Sequence, residues 1–104
     1  TVEEITYVPG KFFNASLDKA SEDNERNYYK IKSSQGEEIV VVQIAGLIAR
    51  RIVTETSKNL ELNQGSRIGM IRFGSRADLY FENYIPLVKV NQKTIAGETL
   101  IAKK

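Results

Sequence analysis

Hydrophobic and polar residues alternate in short bursts along this chain, and nowhere does an apolar period of 3.6 persist over three turns. Residues 2–8 predict a strand, with Val2, Glu4, Thr6 and Val8 on one face and Glu3, Ile5 and Tyr7 on the other. Pro9-Gly10 marks a turn. Residues 17–27 are polar and lack a strong period, which predicts a long loop holding at most one helical turn. Residues 28–33 and 38–45 predict two strands around a Gln35-Gly36 turn. The run Ile39-Val40-Val41-Val42 is β-branched and suits a pleated surface. Further strands are expected over 47–56, 68–73 and 77–81, with a polar connection containing Gly65 over 59–66. Short closing strands are expected at 87–90 and 99–102, joined by a small corner with Ile95 as its hydrophobic pin. Many short strands with turns about every ten residues predict an all-β fold. The expected form is a compact barrel-sandwich-hybrid-like β domain with long polar loops and little helix.

Composition narrows the chemistry. The 104 residues suit one domain with a single modest core. Charged residues are 27% and hydrophobic residues 41%, which is globular rather than disordered. The net charge of +2 is mild, and no basic stripe is interleaved with aromatics, so nucleic acid is not an expected partner. There is no Cys, which excludes disulfides and thiolate chemistry. There is no His, which removes the usual triad base and the commonest zinc ligand. Asp18, Glu22, Asp23 and Glu25 lack the spacing and the Gly of a Ca²⁺ loop, so no metal is expected. No apolar run reaches membrane-spanning length. The chain starts at Thr1 already in a strand pattern, and the expectation is a piece of a longer protein.

One route to chemistry uses the backbone. Gly74-Ser75 follows the strand-like segment Arg67-Ile68-Gly69-Met70-Ile71-Arg72-Phe73. A Ser hydroxyl can attack the preceding carbonyl and convert the peptide bond to an ester. Elimination across the Ser Cα–Cβ bond then breaks the chain, and hydrolysis of the dehydroalanine leaves a pyruvoyl group. Gly at the preceding position leaves the carbonyl open to attack and tolerates strained backbone angles. A carbonyl made in this way accepts an amine substrate and withdraws electrons from it, as other carbonyl cofactors do. Taken alone, Gly-Ser is a very weak signal, since the dipeptide is far more often an ordinary β-turn.

The surroundings of that bond carry a resemblance. Arg67 to Arg76, with Asp78 and Tyr80 after it, resembles the maturation segment of the phosphatidylserine decarboxylases, most closely the short bacterial and archaeal-type branch. Three further blocks agree in order. The first is Phe12-Phe13-Asn14-Ala15-Ser16-Leu17-Asp18-Lys19-Ala20-Ser21 leading into Asn24-Glu25-Arg26-Asn27. The others are Gln43 to Val53 and Gly97-Glu98-Thr99. The resemblance covers nearly the whole chain. It implies self-cleavage between Gly74 and Ser75, with residues 1–74 in a β subunit and 75–104 in an α subunit of one proenzyme. Ser75 is then the pyruvoyl precursor, forming a Schiff base with the head-group amine of phosphatidylserine and releasing phosphatidylethanolamine. It further implies a peripheral enzyme on the cytoplasmic side of a bacterial cell membrane. The family's self-cleavage is driven by a His with an acidic partner, and its His-containing segment lies upstream of the block matching Thr1. These 104 residues alone are therefore expected to stay unprocessed and inactive. Two positions depart from the family's pattern: Asn91 stands where Gly is often found, and Glu82-Asn83-Tyr84-Ile85 looks like a small insertion. Both are expected in loops.

Arg72 and Arg76 flank the bond and are candidates to grip the lipid phosphodiester or the serine carboxylate, or else are solvated strand-end charges. Arg50 and Arg51 are adjacent on an expected strand and point to opposite faces. Asn24 and Arg26 belong to a candidate head-group loop, whose alternative is an Asn-capped turn. Phe12-Phe13 fits core packing or an acyl-chain entrance. Two further functions stay open. One is a non-catalytic β domain that binds lipid head groups or a protein partner. The other is a lipoyl- or biotinyl-like carrier, for which Lys89 and Lys93 lack the hairpin-tip setting. A small core and many strand edges also predict a homo-oligomer, formed by edge pairing or through surfaces that a missing domain would cover.

Overall fold

The β-branched and aromatic runs of the chain form antiparallel ladders. In the computed structural model, which describes residues 1–12, 14, 17, 20–47, 52–71 and 75–103, the elements are β1 (Val2–Val8), α1 (Ala20–Asp23), β2 (Arg26–Lys32), β3 (Glu38–Ile44), β4 (Ile52–Thr54), β5 (Gly69–Ile71), β6 (Arg76–Phe81), β7 (Ile85–Pro86) and β8 (Ala102–Lys103). A four-stranded sheet has the order β1-β2-β3-β6, and β4-β5 and β7-β8 form two small ribbons. All pairings are antiparallel. The all-β expectation holds. Among the described residues the sheets are open and do not close into a barrel.

The register makes rows of side chains across the sheet, because directly opposed residues share a face. One face carries the rows Tyr7–Asn27–Gln43–Ala77 and Ile5–Tyr29–Val41–Leu79. The other carries Val8–Arg26–Ile44–Arg76 and Thr6–Tyr28–Val42–Asp78. On this second face α1 delivers Ala20 onto Val42 and Ile44, and the three are buried with Tyr28 and Val40 around them. That cluster is the modest core that the length predicted. The first face is polar where β4 and β5 meet it, as Asn27, Tyr29 and Gln43 are buried there.

Several expected boundaries shift. A bulge between Val2 and Glu4 breaks the simple alternation of β1. Val2 lies opposite Ile31 and shares the face of Ile5, where it is fully buried. Hydrogen bonds from Val2 N to Leu60 O (2.9 Å) and from Asn59 N to Val2 O (2.7 Å) hold it there. β2 starts at Arg26, two residues before the expected strand, since the side chains of Arg26 and Asn27 find partners along the sheet. Of the strand expected over 47–56, residues 52–54 are β4, and 48–51 lie outside the described residues. The closing ribbon pairs Ile85–Pro86 with Ala102–Lys103 rather than using 87–90. Asn91 turns the chain immediately after that stretch, with φ of 69°. Ile95, expected as a pin, is 61% exposed.

Asn91 lies in a turn as expected, and Glu82, Asn83 and Tyr84 lie in the connection between β6 and β7, but Ile85 opens β7, where it pairs with Lys103. Asn91 occupies the left-handed region that Gly favours and Asn tolerates best among the rest. Asn83, at φ 64°, makes the bend between β6 and β7.

Candidate functional site

Ser75 stands one residue before β6, and Arg76 pairs with Ile44 at the end of the β3–β6 ladder. Carrying the alternation of β6 back one residue puts Ser75 on the face of Ala77, Gln43 and Asn27. Its Oγ is buried and has no hydrogen-bond partner among the described residues. Gly74 and Arg72 lie outside the described residues, as do Arg50, Arg51 and Phe13.

Three segments converge on this corner of the sheet. Lys11 N donates to Asp23 O (2.8 Å) and Glu25 N donates to Lys11 O (2.9 Å), which ties the 20–25 segment to the chain after β1. Ala45 N donates to Glu25 O at 3.0 Å, extending the β2–β3 pairing toward Gly46. Asn24, fully buried, donates from Nδ2 to Ala45 O at 2.7 Å. Gly10 is needed here: a Cβ on it would meet the backbone of Asp23, Asn24 and Glu25.

Three of the four expected substrate contacts are described, and each is engaged within the chain. Asn24 spans to Ala45 as given. Arg26 donates from Nε to the Tyr28 hydroxyl and from Nη1 to Asn24 O, both at 2.9 Å, with its guanidinium 5.6 Å from the Tyr28 ring centre. Arg76 donates from Nε and Nη2 to the two carboxylate oxygens of Asp78 at 2.9 and 3.0 Å, and from Nη1 to Leu17 O at 3.1 Å. Arg76 and Asp78 lie on the sheet face opposite to Ala77.

A polar network not anticipated from the sequence lies on the serine's face. The Tyr29 hydroxyl donates to Gln43 Oε1 at 2.6 Å. Asn27 Nδ2 donates to Thr54 Oγ1 at 2.8 Å, and the Thr54 and Tyr29 hydroxyls are 3.3 Å apart. Tyr29 has one proton and gives it to Gln43, so Thr54 supplies the proton between the hydroxyls. The result is a directed chain from Asn27 through Thr54 and Tyr29 to Gln43. Asn27 Oδ1 and Thr56 Oγ1 are buried and have no hydrogen-bond partner among the described residues. Gly69 packs against the end of this chain: a Cβ there would lie 2.8 Å from the Tyr29 hydroxyl and 2.9 Å from Gln43 Nε2, and would collide with Val53 O. The available signal was the period-2 spacing of Asn27 and Tyr29, facing a Gln in a β-branched strand.

At the rim, the Tyr7 phenol is pushed above its ordinary range, first by its hydrogen bond to the Glu25 carboxylate and then by desolvation and that negative charge. Among the described residues no group of His, Cys, Asp and Glu is arranged to hold a metal ion. Nor is any helix among them long and apolar enough to cross a membrane.

The fold and corner define an open antiparallel β domain that presents, at a strand start, a buried serine hydroxyl without a hydrogen-bond partner among the described residues. The family model for phosphatidylserine decarboxylase matches residues 1–102. Over 103 residues the chain is 79% identical to the phosphatidylserine decarboxylase proenzyme of Pelagibacter ubique, covering 99% of this chain and 48% of that protein. It is 57% identical over 104 residues to the proenzyme of Solidesulfovibrio magneticus, covering 99% of this chain and 49% of that one. It is also 57% identical over 103 residues to the proenzyme of Granulibacter bethesdensis, covering 98% and 42%. The chain spans about half the length of these curated relatives. No solved structure matches it. The chain belongs to the phosphatidylserine decarboxylase family.

Proposed function

We propose that the protein carrying this chain decarboxylates phosphatidylserine to phosphatidylethanolamine, using a pyruvoyl group made from Ser75 by cleavage of the Gly74–Ser75 bond. The observation that carries this reading is the buried Ser75 Oγ, without a hydrogen-bond partner among the described residues, within the segment whose sequence resembles the family's maturation segment. The relatives' designation as proenzymes supports a maturation step.

The chemistry starts from this chain's own atoms. Ser75 Oγ adds to the Gly74 carbonyl and the C–N bond breaks, leaving an ester and a free amine on residue 75. Loss of the residue 75 Cα proton expels the Gly74 carboxylate. The dehydroalanine left behind takes up water and releases ammonia. The orphaned oxygen of Ser75 has no competing bond to give up before it attacks. The pyruvoyl carbonyl supplies the electron sink for loss of carbon dioxide.

The internal bonds of Asn24, Arg26 and Arg76 support a framework role for them, in which they fix the corner rather than grip the lipid. Arg72 is the remaining candidate for the lipid phosphodiester or the serine carboxylate. A membrane lipid as substrate supports a peripheral position on the cytoplasmic face of the bacterial membrane. Residues 1–74 and 75–104 become the β- and α-subunit parts of one domain. The outer strands β1 and β6 offer edges for a homo-oligomer.

Mass spectrometry of the full-length gene product tests this reading. The expected result is two fragments split between Gly74 and Ser75, the smaller blocked at its N-terminus by pyruvoyl. An intact chain with full activity overturns it. An intact and inactive chain that binds phosphatidylserine vesicles overturns it in favour of a head-group-binding domain.

A further inference from the structure

The hairpin between β7 and β8 turns its apolar side chains outward. Ile85, Leu87, Val90, Ile95 and Leu100 are all exposed, Val90 by 92% and Leu100 by 64%. Single exposed apolar residues are ordinary, but five on one connection mark an interaction surface. Loose structure does not account for them. Ile85 pairs with Lys103 at the base, and Leu87 N donates to Ile101 O at 2.7 Å. Gln92 N donates to Lys89 O (3.1 Å) and Lys89 N to Gln92 Oε1 (3.0 Å), closing a turn with Val90 second and Asn91 third. A further turn is closed by Glu98 N donating to Ile95 O at 3.0 Å, while Ile95 N donates to Thr99 Oγ1 at 2.8 Å. The second position of a turn ordinarily holds Pro, Gly or a polar residue. Here it holds a valine, fixed in solvent by the bonds on either side of it.

Charge says what this surface meets. Residues 85–103 contain Lys89, Lys93 and Lys103 against one acid, Glu98, an excess equal to the net charge of +2 of the whole chain. None of these lysines is in an ion pair among the described residues. Lysine is depleted where proteins pack on one another. Beside exposed apolar side chains it suits an anionic lipid surface, its stem lying among the lipids and its ammonium at their phosphates.

We propose that the 87–100 hairpin is a membrane-docking element, which sinks Val90 and Ile95 into the head-group layer of an anionic bilayer and sets Lys89 and Lys93 against its phosphates. This rests on the decarboxylase reading given above, whose substrate is an anionic bilayer lipid, and it adds the surface by which the enzyme reaches that lipid. Ser75 and the hairpin lie on the same side of the Gly74–Ser75 bond, so the docking element and the pyruvoyl group stay on one chain after cleavage.

The experiment uses the full-length protein and vesicles of phosphatidylcholine, with and without phosphatidylglycerol, an anionic lipid that is not the substrate. Binding is read by co-sedimentation. Val90→Ser is expected to weaken it about tenfold, and Val90→Leu to keep it within twofold of wild type. Lys89→Gln and Lys93→Gln are each expected to weaken binding to the anionic vesicles about fivefold, with no change on phosphatidylcholine alone. Raised salt should shrink the effect of the lysines and leave that of Val90. Turnover of soluble short-chain phosphatidylserine should stay within twofold of wild type in all four variants, while KM for phosphatidylserine in vesicles rises in step with the loss of binding. Unchanged vesicle binding in Val90→Ser and in both lysine variants overturns the proposal. So does a lowered Tm in Val90→Ser with binding intact, which assigns the hairpin to a contact within the full-length protein. A wild-type protein that binds the vesicles but leaves soluble phosphatidylserine intact overturns the decarboxylase reading without touching the binding measurements.

Discussion

Arg76 chelates Asp78 through two parallel hydrogen bonds of 2.9 and 3.0 Å, one residue after the candidate nucleophile. The two side chains share a face of β6, and each is about three-quarters buried. Bidentate geometry and partial burial put this pair above a typical surface ion pair, though solvent still screens it. A double-mutant cycle with Arg76→Ala and Asp78→Ala is expected to give a coupling of about 1 kcal/mol. Arg76→Ala alone also loses the bond to Leu17 O, so it should lower Tm further than Asp78→Ala does. Additive single effects, together with a raised KM in Arg76→Ala, would instead make Arg76 a substrate ligand.

Two glycines on the sheet and its turns answer differently to substitution. Gly69 has no room, because a Cβ would strike the Val53 carbonyl, a backbone atom that cannot swing aside. Gly36 has open space around it but sits at φ +86°, in the hairpin between β2 and β3. Gly69→Ala is expected to cost about 1–3 kcal/mol through overpacking. Gly36→Ala should cost about 1–2 kcal/mol through backbone strain alone. Asn separates the two causes: Gly36→Asn should recover much of the loss, and Gly69→Asn should be worse than Gly69→Ala. Urea denaturation of the four variants gives the comparison, and parallel behaviour at both sites would refute the distinction.

Tyr7 links the rim of the site to pH. Its phenol donates to Glu25, so the folded state favours the protonated form and the folded pKa is raised. The bond's contribution is complete below the ordinary phenol pKa and is lost as pH rises through the raised value. Ultraviolet titration should show one tyrosine ionising above the ordinary range, and Glu25→Gln should bring it down. A Tyr7 that titrates normally in the wild type would contradict this.

The sheet was readable because the cues that build it are local. The β-branched run at 39–42 and the Gln35-Gly36 turn place β3 and its hairpin within a residue of the structure. Boundaries set by distant contacts were not readable. Val2 changes face because a bulge and two hydrogen bonds to residues 59 and 60 hold it. Ile95 reads as a pin in a local corner, yet it is 61% exposed. The family was legible through the pattern around Gly74-Ser75 and the blocks in register with it. The network of Asn27, Tyr29, Gln43 and Thr54 was not, because it joins three strands whose register no single stretch of sequence encodes.

Asn24 supplies a test in which burial and protonation oppose each other. It is fully buried, and Nδ2 donates to the Ala45 carbonyl at 2.7 Å, which joins the 20–25 segment to the end of β3 beside Ser75. Asn24→Ala leaves that carbonyl without its donor and should cost about 1–3 kcal/mol. Asn24→Asp keeps the shape but points a carboxylate at a carbonyl oxygen in a buried site, which should cost more at neutral pH. Protonation gives the new acid an O–H that can donate to Ala45 O. Its folded pKa is therefore raised, and the stability it retains is present at low pH and lost as pH rises through that value. Urea denaturation at pH 7 and near pH 4 should show the gap between Asn24→Asp and wild type narrowing in acid, while the gap for Asn24→Ala stays constant. A pH-independent gap for Asn24→Asp would mean that the donor to Ala45 is not what holds this corner together.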